Sequence, residues 1–154
     1  MSAALASATL SPMGLAIEGV DHVTVQITDV ARARRFYGDF LGLEETPRPA
    51  SFDFPGAWYK AGNIMIHLVG QTEPDALSRR HFCLRVSNVF ETYRIVEAAG
   101  YEAKWDQRKI PGIERFFTRD PDGNRIEFQG SAEAAGNSEK FRDNSVSLSS
   151  SSGL

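Results

Sequence analysis

Cysteine is nearly absent from this chain: Cys83 stands alone among 154 residues. No intramolecular disulfide can form, and the composition fits a reducing compartment such as the cytoplasm. An excess of basic residues is missing too. The formal net charge is −3, which leaves no cationic footprint for nucleic acid. No apolar run approaches the roughly 20 residues of a membrane-spanning helix, so no membrane partner is expected. Histidine is scarce as well, with only three residues, and that scarcity makes their placement informative.

The two ends are poor in large apolar residues. Residues 1–14 are rich in Ser and Ala and carry no basic residue, so they read as a disordered arm rather than a signal or transit peptide. Residues 131–154 end in 149-SSSSGL-154 and read as a disordered Ser-rich tail, because they cannot bury enough apolar area to offset the entropy of ordering. The expected folded domain is therefore 15–130.

What remains is repetitive. His22, His67 and His81 all lie in apolar strand-like runs, 20-VDHVTVQI-27, 64-IMIHLVG-70 and 81-HFCLRV-86, and Glu127 lies in a fourth, 124-NRIEFQG-130. His22 and His67 are 45 residues apart, and His81 and Glu127 are 46. After the first run comes a helical pattern in which Asp29 is the expected N-cap. Val30, Ala33, Phe36, Tyr37, Phe40 and Leu41 form its apolar stripe, and Gly42 ends it. Strands are expected at 43–46, 57–61 and 64–69. The second half repeats the order, with Ser87 as expected cap, a stripe of Val89, Phe90, Tyr93, Ile95, Val96 and Ala99, and Gly100 at the end. Strands follow at 101–105, 113–118 and 124–129, with 120-DPDG-123 as the last turn. The fold class is α+β, as two tandem βαβββ modules over 15–70 and 80–130.

Strand alternation sets the direction of the side chains. His22, His67, His81 and Glu127 each fall on the face opposite the bulky aliphatic and aromatic set. The aliphatic face must pack on the helices, so the other, concave face receives the four. Four metal-capable residues at duplicated positions form a candidate ligand set for a borderline divalent metal. Arg85, Arg115 and Arg125 are candidates for binding an anionic substrate group, and Trp58 for walling the pocket. Cys83 is expected to be a buried, inert thiol. Asp120, Asp122 and Gly123 read as turn residues, not ligands.

The sequence resembles the vicinal oxygen chelate superfamily: glyoxalase I, fosfomycin-resistance thiol transferases, extradiol dioxygenases and bleomycin-resistance proteins. The resemblance rests on 20-VDHVTVQITD-29, 36-FYGDFLGL-43, 66-IHL-68 and, most specifically, 116-FFTRDPDGNRIEF-128. The stretch 48-RPASFDFPGAWYKAGNIMIHLVG-70 is most similar to glyoxalase I-like proteins of plants and bacteria. The resemblance implies a cupped eight-stranded mixed sheet around one divalent metal, with His22 and His67 from the first module and His81 and Glu127 from the second. It implies a lyase or isomerase acting on a small oxygenated or thiol-conjugated substrate, with glutathione or another thiol as co-substrate. Glu127 would be ligand and catalytic base. Glyoxalase I more often has a carboxylate or amide where this chain has His67, which implies weak lactoylglutathione isomerisation. His67 also fills the position left free in the fosfomycin transferases and dioxygenases. That argues for Zn, Ni, Co or Mn over Fe. The alternatives are a fosfomycin-type thiol transferase and a non-catalytic small-molecule-binding protein. The implied assembly is a homodimer whose sites are shared between subunits.

Overall fold

A computed structural model describes residues 15–134 of the chain. The expectation for 1–14 lies outside the described residues, as does that for the tail from 135 on. The first four residues of the expected tail are instead ordered, Ser131 as the end of the last strand and Ala132–Ala134 as a 3-10 turn. In chain order the elements are β1 (His22–Ile27), α1 (Val30–Arg34, continued by a π-helical turn Arg35–Phe40), β2 (Glu44–Thr46), β3 (Gly56–Ala61) and β4 (Ile64–Gly70). The second half holds β5 (His81–Arg85), α2 (Val89–Ala98), β6 (Lys104–Trp105), β7 (Ile113–Arg119) and β8 (Arg125–Ser131). A 3-10 turn, Ala132–Ala134, follows.

The repeat is visible in the pairing. The strands form two four-stranded sheets, ordered β1-β4-β3-β2 and β5-β8-β7-β6. In each, the first strand runs parallel to the last and the remaining pairs are antiparallel. The expected eight-stranded surface is thus two cupped halves, and β1 and β5 are each an edge of their own sheet.

Alternation sorts the faces as the sequence pattern requires. Val25, Ile27, Ile66 and Leu68 are buried against Ala33, Phe36 and Tyr37. Ile126, Phe128 and Phe116 are buried with Val89, Phe90 and Val96. The helix ends differ in detail from the sequence reading. Asp29 caps α1 by accepting from Arg32 N at 2.9 Å. The cap of α2 is Asn88, not Ser87, and it accepts from Glu91 N at 3.0 Å. Both residue types cap well, so one residue of register was beyond the pattern. Gly42 and Gly100 end the two helices at φ +69 and +83, where a Cβ would be strained.

Three further departures have local causes. The π turn carries a bond from Leu41 N to Phe36 O at 2.8 Å, and this widened register lets the neighbours Phe36 and Tyr37 both point inward, at 1% and 0% exposure. Ile95, assigned to the apolar stripe of α2, is 51% exposed. Tyr101, assigned to a strand, instead packs its ring against Phe36 and Phe40 of the first module at centroid distances of 5.0 and 4.8 Å.

The 120-DPDG-123 turn does more than close the β7–β8 hairpin. Asp120 is buried and accepts from Tyr37 Oη at 2.7 Å. Asp122 Oδ1 accepts from Thr28 N at 3.0 Å, Thr28 Oγ1 at 2.5 Å and Arg32 Nη2 at 2.7 Å. Asn124 Nδ2 donates to Gln26 O at 2.7 Å. One turn of the second module is therefore bolted to the end of β1 and the start of α1.

Candidate metal centre

The sequence candidates meet in two pairs. In the first module β1 and β4 place Thr24 opposite His67 and His22 opposite Met65, so the two histidines are diagonal neighbours on one face. Their rings stack at 4.2 Å. The partner of His67 across the other ladder is Trp58, whose ring stacks on it at 4.1 Å and 9°. Phe52 then meets Trp58 edge-on at 5.0 Å. His22 Nδ1 lies 2.9 Å from Asp21 Oδ2. A cavity of about 520 Å³ opens here, lined by Asp21, His22, Thr24, Phe52, Phe54, Trp58, Met65, His67 and Val69. Burial in this wall, with the neighbouring His22 second, holds the His67 imidazole below its ordinary pKa. The neutral form that ligates metals is thereby favoured.

In the second module β5 and β8 set Cys83 opposite Glu127, and His81 reaches diagonally. Its Nε2 lies 3.0 Å from Glu127 Oε2. Its Nδ1 donates to Arg79 O at 2.9 Å. With the proton committed to a carbonyl, a neutral His81 turns its Nε2 lone pair toward a carboxylate. Two acceptors at that distance call for a proton or a cation between them. Both His81 and His22 thus have Nδ1 held by an oxygen, the arrangement that orients a metal-binding imidazole through its other nitrogen. The donor set, imidazoles and one carboxylate, fits a borderline divalent ion.

Glu127 is 4% exposed. Its other oxygen, Oε1, is 3.4 Å from Arg115 Nη1, and Arg115 Nη2 is 2.7 Å from Asp106 Oδ2. Arg115 therefore ties the candidate base to Asp106, just past the edge strand β6. Arg125 lies with its guanidinium carbon 3.5 Å from the Phe117 ring centre, and Phe117 meets His81 edge-on at 5.3 Å. Arg85 is exposed at the end of β5. Cys83, expected to be buried, is exposed on this face, because the shallow half-cup leaves its inner surface open. Partial desolvation first, and the nearby Glu127 carboxylate second, push its thiol up to about 12.

The two pairs do not join within the chain. Among the described residues no group of three or more His, Cys, Asp or Glu could hold a metal ion. A cleft of about 520 Å³ runs between the edges of β1 and β5 and is lined by Thr24, Gln26, His81 and Arg125 among others. The residues overlooked by sequence reasoning are Asp21, Phe52, Phe54 and Arg48, whose guanidinium lies 4.9 Å from the Phe54 ring. The clustered aromatics of 52-FDF-54 before Pro55 were the available signal.

Comparison with known proteins agrees with this architecture. A curated relative, Glyoxylase I 4 of Arabidopsis thaliana, is 28% identical over 123 residues, covering 73% of this chain and 71% of its own. A solved glyoxalase family protein of Bacillus anthracis is 34% identical with a TM-score of 0.71, covering 77% of this chain and 99% of that one. A variant of the fosfomycin resistance protein FosX of Listeria monocytogenes is 18% identical with a TM-score of 0.65, covering 77% and 96%, a likeness of fold. The profile of the Glyoxalase/Bleomycin resistance protein/Dioxygenase superfamily matches residues 19–128. With that match across both modules, the chain belongs to the Glyoxalase/Bleomycin resistance protein/Dioxygenase superfamily.

Proposed function

We propose that this protein is a divalent-metal-dependent lyase or isomerase of the glyoxalase I type, acting on a small oxygenated or thiol-conjugated substrate. The observation that carries this reading is the pair of matched half-sites, His22 with His67 and His81 with Glu127, on corresponding strands of the two modules. The similarity to Glyoxylase I 4 supports the reaction class, and FosX, crystallised with Mn(II), supports the kind of ion. When bound, a divalent ion supplies Lewis acidity and a template for substrate oxygens. His22, His67, His81 and Glu127 would hold it. Glu127 then offers a carboxylate oxygen to take a proton from the substrate and return it, while Arg115 fixes the orientation of that carboxylate. Trp58, Phe52 and Phe54 wall the first half-site.

Each metal centre takes one half-site from each of two subunits. The open edges of β1 and β5 need partners. Leu15, Ile17 and Val20, ahead of β1, are 87%, 79% and 65% exposed, apolar surface suited to a second copy. The test is metal loading followed by elemental analysis. About one divalent ion per chain should bind, and His22→Ala, His81→Ala or Glu127→Ala should lose most of it. Mixing His22→Ala chains with Glu127→Ala chains should regenerate one intact centre per mixed dimer. Retention of full metal by the single variants overturns the ligand assignment. A monomer with no restoration overturns the shared centre.

A further inference from the structure

The concave face of the second module carries positive charge that its carboxylates do not match. Arg119 on β7 and Arg125 on β8 stand directly opposite each other in the antiparallel register. Arg125 stands opposite His81 on β5 in the parallel one. The three residues therefore form one line across three strands. Like charges directly opposite each other destabilise a sheet, so a fold under no other demand has no reason to keep two arginines there.

Neither arginine finds an acid. Arg119 Nη1 donates to Gly123 O at 2.6 Å and its Nη2 to Ser78 O at 3.3 Å. Arg125 Nη1 donates to Arg79 O at 3.4 Å. Both guanidiniums hang on carbonyls of consecutive residues, which gathers them at one spot and sets the backbone of Arg79 beside them. Lys104 and Arg108, at the rim, are matched by Glu102 and Asp106. Among the described residues no ion pair joins Arg79, Arg119 or Arg125 to a carboxylate. A cavity of about 410 Å³ opens over them, lined by these three arginines and Phe117 and, on its far side, by Lys104, Arg108 and the carboxylates Glu102 and Asp106 that those two cations engage. Guanidinium groups present paired donors that match the oxygens of phosphate, phosphonate and carboxylate.

We propose that Arg79, Arg119 and Arg125 form a subsite for an oxyanion carried by the substrate. Neighbouring strands lie roughly 4.8 Å apart. The subsite thus begins one strand from His81 and extends to two, about 5 to 10 Å along the sheet. The substrate is a small molecule with an acidic group at that span from its reacting oxygens. Only the span rests on the reading of His81 as a metal ligand; the anion binding does not.

The probe is inorganic phosphate, titrated calorimetrically into the full-length protein at low ionic strength, metal-free and metal-loaded. Saturable binding is expected in both states. Arg119→Gln with Arg125→Gln should weaken it by about tenfold or more. Lys60→Gln, which removes an exposed charge on the other module, should leave it unchanged. Because the double variant relieves like-charge repulsion, its thermal midpoint should hold or rise, while phosphate should raise the midpoint of the wild type only. The single variants, each weakening binding by part of that factor, carry the same reading if the double variant misfolds. Phosphate binding in a wild-type chain that takes up no divalent metal keeps the subsite and removes the metal reading, whereas loss of metal without loss of phosphate binding in His22→Ala keeps both. Undiminished binding in the arginine variants, or no saturation in the wild type, overturns the subsite.

Discussion

Tyr37 is fully buried and donates to Asp120 across the two modules. Burial first, and the Asp120 charge second, raise its phenol well above the ordinary 10.0. An acid whose pKa is higher folded than unfolded keeps its proton in the native state while the unfolded chain gives it up, so stability falls as pH climbs past about 10. The slope approaches about 1.4 kcal/mol per pH unit for each such group. Tyr59, pushed up to about 12 mainly by desolvation, adds to the same loss. Tyr37→Phe should cost about 1–2 kcal/mol at neutral pH, since Asp120 keeps its other donors, and should flatten the alkaline decline in denaturant titrations from pH 9 to 11. His67 invites a second substitution. It occupies the stack between His22 and Trp58, where a carboxylate would supply another base. Wild-type turnover of the methylglyoxal–glutathione adduct should therefore be weak, below about 10 per second, and His67→Glu should raise it in a steady-state assay. The face a side chain takes was legible in the sequence where alternation decides it, as for His22 with His67 and His81 with Glu127. Contacts and exposure were not legible where a distant partner decides them. The ties of Arg115 to Asp106 and Glu127 and the exposure of Cys83 depend on how strands far apart in sequence come together.

Among the elements, the helix starts separate the readable from the unreadable. Ser87 and Asn88 are adjacent cap-forming residues, and only the register of α2 on its sheet chooses Asn88. Asn88→Ala should lower stability by about 1 kcal/mol, whereas Ser87→Ala should stay within about 0.5 kcal/mol. Equal effects in urea unfolding would return the cap to Ser87. The π turn gave no sequence signal, because Phe36 and Tyr37 fit an ordinary stripe as well as a widened one. Its cause lies in the second module, where Tyr101 and Asp120 engage those two side chains. The strands were legible to within about two residues, since each has an aliphatic face that must be covered and turn residues that must end it; the exception is β6, expected over 101–105 and confined to Lys104–Trp105.

At the scale of the whole molecule, the duplication was readable and the relation between its halves was not. Spacing and alternation give two equal modules. No local pattern says that 120-DPDG-123 would reach back to Thr28, Arg32 and Tyr37. Asp122→Ala removes an oxygen that satisfies Thr28 N, Thr28 Oγ1 and Arg32. It should cost about 2–3 kcal/mol and loosen the coupling of the modules. Fluorescence and circular dichroism transitions, expected to coincide in the wild type, should then separate. Coincident transitions with unchanged stability would deny the turn that role.

The bolt at Asp122 has a consequence for the covalent order of the chain. Two halves welded through a turn have little need of the string between them. The segment 71–80 is exposed along most of its length, and it meets the rest chiefly through the carbonyls of Ser78 and Arg79. A chain opened at Asp75, with residue 134 joined to residue 15 through a flexible bridge, should therefore refold with its modules in the same mutual pose, second copy first. The ancestral order of the duplicates would then be an accident of inheritance, free to be exchanged, while the hairpin tip that fastens them would not.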